Sequence, residues 1–113
     1  MMKRLLLLLC LATAAAADPF AAAGRWRIYH TDGSPITVTL YPNHSARSDW
    51  ENGTRGHWRW VKGNLVMRWK DGWRDVVMLK EGRFEKLGYA PGNRDEAAPS
   101  NRTAAYQLDP SGK

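Results

Sequence analysis

The chain has 113 residues, with 17 Lys and Arg against 11 Asp and Glu, six tryptophans and one cysteine. That length suits one domain rather than two, and a lone cysteine excludes both a disulfide framework and a thiolate metal centre. A formal net charge of +6 favours anionic surfaces such as polyanionic glycans, phospholipid or nucleic acid, and equally serves solubility.

The first 17 residues read as a secretory signal. Lys3 and Arg4 precede an uncharged run from Leu5 to Ala17, and Ala15 and Ala17 place small side chains where a signal peptidase cuts. The run is too short to span a bilayer, and no later apolar run approaches it, so no transmembrane segment is expected. Cleavage after Ala17 predicts a secreted or periplasmic protein, with residues 18–113 as a single β-domain. It also removes Cys10 together with Lys3 and Arg4, leaving 15 basic residues against 11 acidic, a net +4. A domain without disulfides depends on core burial, and its tryptophans at 26, 50, 58, 60, 69 and 73 supply the bulk.

From Gly24 the chain alternates apolar and polar residues in short bursts. Trp26 and Ile28 oppose Arg25, Arg27 and Tyr29; Ile36, Val38 and Leu40 oppose Thr37, Thr39 and Tyr41. Trp58 and Trp60 oppose His57 and Arg59; Leu65, Met67 and Trp69 oppose Val66 and Arg68. Period two over such lengths marks half-buried strands. Eight are predicted, near 24–30, 36–41, 46–50, 56–61, 64–69, 73–80, 83–88 and 102–108, with an irregular loop at 90–101.

Asp32-Gly33, Asn52-Gly53, Gly63-Asn64, Asp71-Gly72 and Glu81-Gly82 fall between the bursts and supply hairpin turns. A three-residue "TDG" loop sets Ile28 opposite Ile36 and Trp26 opposite Val38, which keeps both apolar faces on one side. The same loop at "KDG" sets Trp69 opposite Trp73, Met67 opposite Asp75 and Leu65 opposite Val77; a two-residue turn there would pair Arg68 with Asp75. A sequential meander with a late strand returning to the first predicts an all-β, eight-stranded up-and-down barrel, with a two-sheet β-sandwich as the alternative.

Gly-x-Trp, at "GRW" and again at "GHW", resembles the opening motif of lipocalins and other calycin barrels. The phrase "GHWRWVKGNLVMRWKDGWRD" resembles small lipocalin-like β-domains of secreted bacterial proteins through Gly56, Trp58, Trp69, Gly72, Trp73 and Asp75. The resemblance covers roughly residues 24–88 and implies a barrel rather than an activity. The chain is shorter than a full lipocalin and lacks its disulfide and late helix.

Sites of chemistry are sparse. His30, His44 and His57 have no metal-ligand spacing, no Gly-x-Ser-x-Gly is present, and no glycine loop is shaped for phosphates. Neither enzyme chemistry, metal nor cofactor is expected. Trp58, Trp69 and Trp73 with Asp75 form either packed core or a shallow aromatic pocket for a saccharide or small amphipathic ligand. Arg27, Arg59, Arg68 and Arg74 form either the solvated side of the strands or a basic interaction face for an anionic envelope partner. The signal peptide argues against nucleic acid as partner. The expected function is a secreted, non-catalytic ligand- or glycan-binding domain; the alternative is an envelope-associated interaction domain using the basic face.

Overall fold

A computed structural model describes residues 18–110; the signal peptide expected at 1–17 lies outside them. Eight strands follow in order: β1 (Gly24–Tyr29), β2 (Pro35–Leu40), β3 (Ser45–Ser48), β4 (Thr54–Val61), β5 (Asn64–Trp69), β6 (Arg74–Lys80), β7 (Arg83–Tyr89) and β8 (Asn101–Pro110). Each pairs antiparallel with the next, and β8 returns to β1, closing an up-and-down barrel. Closure leaves no edge strand to template aggregation, and a sandwich is not formed.

The registers follow from the turns. Trp26 lies opposite Val38 and Ile28 opposite Ile36, while Leu65 faces Val77 and Met67 faces Asp75. In both hairpins a three-residue loop ends on a glycine with positive φ, Gly33 at 87° and Gly72 at 101°. That conformation is open to glycine at little steric cost. The glycine N–H donates back to His30 O at 2.9 Å in the first loop and to Trp69 O at 3.0 Å in the second. The β2–β3 turn repeats this geometry with His44 at the left-handed position, φ 76°. Between β4 and β5 the two-residue loop is Lys62-Gly63, so Asn64 belongs to β5 rather than to the turn. At the other boundaries, β3 ends at Ser48 and leaves Trp50 in the following turn, and Asn101 opens β8 instead of closing the loop.

Alternation sends Trp26, Ile28, Val38, Leu40, Leu65, Met67 and Val77 into a fully buried interior. One end is stoppered. Phe20, ahead of β1, meets Trp60 at 4.8 Å and Phe84 at 4.9 Å, both edge-on. Trp26 packs edge-on against Phe84 and donates its indole N–H to Ala22 O at 2.8 Å. Edge-to-face rings add to simple burial. A second apolar cluster, Val66, Val76, Leu87 and Tyr89, lies on the outer side of β5–β7. Its existence explains why "VVML" is apolar on both faces. The segment after β7 crosses this region, with Tyr89 Oη donating to Glu96 O at 2.8 Å.

Candidate functional site

The opposite end of the barrel carries the β1–β2, β3–β4, β5–β6 and β7–β8 connections, and here the interior reaches the surface. Three rings form the rim. The imidazole of His30 lies flat on Trp50, centroids 4.1 Å apart and planes 9° from parallel. Trp73 meets the same imidazole edge-on at 5.1 Å. Ile28, Ile36, Ser48, Thr54 and Trp69 line the wall below, and the floor is polar: Asp75, Lys86 and Asn101.

The floor is one connected network across four strands. Asp75 Oδ2 accepts the Trp69 indole N–H at 2.8 Å. Its other oxygen stands 3.5 Å from Lys86 Nζ, in an ion pair whose two side chains are 9% and 2% exposed. Lys86 Nζ donates to Asn101 Oδ1 at 2.6 Å, and the Asn101 amide donates to Thr31 Oγ1 at 3.1 Å. Register builds this chain. Val77 pairs with Lys86 and Asp75 with Gly88, so the carboxylate and ammonium are diagonal neighbours on the inner face. Gly88 in turn faces Asn101, and a β-carbon there would meet Asn101 Cγ at 2.9 Å. Only a glycine leaves that amide room to reach Lys86.

Burial sets the protonation behaviour. It pushes the Asp75 carboxyl above the ordinary aspartate value of 3.8, against the opposing pull of the Lys86 charge and the Trp69 N–H. It pushes the Lys86 ammonium below 10.5, with Asp75 as the restraint. Two acceptors meet the lysine's three N–H directions, which leaves one donor for a further partner. The cavity above has a volume of ≈ 30 Å³, room for one or two water-sized groups.

Of the residues expected to share a pocket, Trp69, Trp73 and Asp75 do come together here. Trp58 does not. It sits nearer the stoppered end, buried, stacked on His44 at 4.0 Å, with its indole N–H donating to Tyr41 O at 2.9 Å. Asp75 is a paired carboxylate, held by the Trp69 indole N–H and Lys86. His30, Trp50, Lys86 and Asn101 were not anticipated, although alternation carries signals for three of them. His30 continues the inward series Trp26–Ile28; Trp50 continues Ala46–Ser48; Lys86 lies between Phe84 and Gly88 on the inner face of β7.

The four arginines of the outer face divide. Arg68 and Arg74 are directly opposite each other, and Arg59 is on the adjoining β4, paired with Val66. Arg27 is on β1, elsewhere around the barrel, with its guanidinium donating to Thr37 Oγ1 at 3.1 Å. Among the described residues no three of His, Cys, Asp and Glu gather as a metal site would need, and no helix is long and apolar enough to cross a membrane. No protein-family model, curated protein or solved structure matches the chain.

Proposed function

We propose that this is a secreted, non-catalytic binding domain of lipocalin-like type. In this reading it takes a small ring, a saccharide or an amphipathic molecule, at the open end of the barrel. The ring rests against Trp50 and Trp73 at the rim, and one hydroxyl or hydroxymethyl group drops into the cavity to accept from Lys86. The observation that carries this is the polar floor beneath an aromatic rim: a buried lysine with a donor to spare, at the bottom of a space sized for one small polar group. Aromatic walls with a few placed polar groups are what small-ligand sites are made of. The cavity is too small for a lipid chain, so the ligand is held at the mouth and not threaded through the barrel.

The test is a panel of monosaccharides and small aromatic alcohols titrated against the 15N-labelled protein, following the indole N–H signals of Trp50 and Trp73. Saturable shifts in those two signals are expected, with at least about a tenfold loss of affinity in Trp50→Ala. A panel that moves neither signal would refute the assignment.

A further inference from the structure

The outer surface of β3, β4 and β5 is unusual in its charge. These strands, "SARS", "TRGHWRWV" and "NLVMRW", hold four arginines and no carboxylate. Register stacks basic side chains against one another. Arg47 lies opposite Arg55, His57 opposite Arg68, and Arg68 opposite Arg74. Lys70 joins the row, its N–H donating to Arg55 O at 2.9 Å. Like charges facing each other across a ladder repel. Among the described residues, Arg47, Arg55, Arg59, Arg68 and Lys70 form no salt bridge; Arg74 alone of this group has one, to Glu96 at 3.2 Å.

The surface is also shaped. A shallow groove runs between Arg55, His57, Arg68 and Lys70. A wider one of ≈ 560 Å³ continues past Arg68 to Arg74 and Arg94. Arg68 and Trp69 are common to both, so the two form one trough with cations along its walls and one carboxylate, Glu96, paired with Arg74. It lies outside the barrel and meets the ligand site at the mouth through Trp69 and Trp73, which line both.

We infer that this trough binds a linear anionic polysaccharide, with sulfate or carboxylate groups bridging the facing arginines. Charge complementarity identifies the ligand as a polyanion, because each bound anion relieves a repulsion built into the strand pairing. The trough's lining identifies the class. Single-stranded nucleic acid needs exposed rings on which bases stack, yet the rings along this trough are engaged: Trp69 is buried, Tyr89 lies under the Arg74 guanidinium at 4.1 Å, and the half-buried Trp73 is held edge-on to His30 at 5.1 Å. A bilayer-binding face needs apolar side chains to insert, and the large exposed ones, Tyr41, Leu79, Tyr106 and Leu108, are all elsewhere. A concave, cationic track fits a hydrated anionic chain.

Calorimetric titration of the protein with dextran sulfate, uncharged dextran of matched length, single-stranded oligothymidylate and phosphatidylglycerol vesicles tests this. Dextran sulfate should bind at least about tenfold more tightly than the oligonucleotide, the vesicles or uncharged dextran, and weaken about tenfold between ~50 and ~300 mM salt. Arg55→Glu/Arg68→Glu should lose at least about tenfold, while Lys80→Glu/Arg83→Glu, an equal charge change on the β6–β7 turn, should stay within about twofold. Arg55→Gln/Arg68→Gln repeats the test with smaller repulsive effects, should the first pair fail to fold. Equal losses in trough and control variants would reduce the effect to net charge and overturn the site. Tighter binding of the oligonucleotide or the vesicles would overturn the ligand class.

Discussion

Replacing Lys86 with methionine isolates the electrostatics of the barrel floor. Methionine keeps most of the side-chain length and removes the ammonium, leaving the Asp75 carboxylate buried with the Trp69 N–H as its remaining partner. Breaking a buried ion pair by deleting one member costs about 3–5 kcal/mol, a large share of the roughly 5–15 kcal/mol that holds a small domain together. The loss must depend on pH. The Lys86 charge is what pulls the Asp75 pKa down against burial, so the variant's carboxyl rises further above 3.8. The folded variant then binds more protons than the unfolded chain across the window from 3.8 up to the raised value. In that window stability falls as pH rises. Urea unfolding at about pH 4 and about pH 7 measures it, with the greater part of the loss expected at the higher pH. Equal losses at both would mean that methionine merely packs badly, and a loss under about 1 kcal/mol at neutrality would mean the carboxylate is solvated. Either result refutes the network as described.

Two further predictions probe the same chain of contacts. Trp69→Phe keeps an aromatic side chain, with a smaller ring, but deletes the donor to Asp75; the carboxyl's titration midpoint, read by NMR on the Asp75 carboxyl carbon, should move up, with a stability loss of about 1.5–3 kcal/mol. Gly88→Ala places a β-carbon against the Asn101 amide and should cost about 1–3 kcal/mol by freeing Lys86 from its acceptor; combined with Asn101→Ala, the two losses should fall short of additive because both act on one contact.

Much of this architecture is legible in the chain. Strict alternation in β1, β2, β4 and β5 gives the inward faces, and loop length then sets the register, since a one-residue slip would put Trp26 against Thr39 instead of Val38. Height along the barrel axis is harder to read, because it depends on how closure staggers the strands. Trp58 and Trp69 share an inward face on neighbouring strands, yet Trp58 pairs with Met67 and Trp69 with Gly56, which separates them along the axis. Trp58 is then drawn to the β2–β3 turn by its contact with Tyr41 and His44. Lys86 escapes notice for another reason: a lysine within an alternating strand is read as solvent-facing. The Glu81-Gly82 turn, by pairing Lys80 with Arg83, nevertheless fixes its parity with Val77 and turns it inward. Trp50 lies in the turn after β3; the alternation of Ala46 and Ser48 gives its inward parity, and the folded turn brings it over His30.

The buried pair itself bears on function. A small barrel without a disulfide gains little from enclosing an ammonium and a carboxylate, whose desolvation offsets most of their attraction; well-packed apolar residues of similar volume are often neutral or more stable by about 1–4 kcal/mol. Stability alone is therefore a poor reason for this pair to sit beneath the rim, whereas a polar group completing the lysine's shell is a good one. The variant Asp75→Leu/Lys86→Met separates the two roles, because it removes both charges together and strands neither. If the pair serves the ligand, this variant unfolds at the same or a higher urea concentration than the wild type and loses the saturable indole shifts. If the pair serves the fold, the variant unfolds earlier by an amount comparable with Lys86→Met alone, and the polar floor is bracing for the β5–β8 wall.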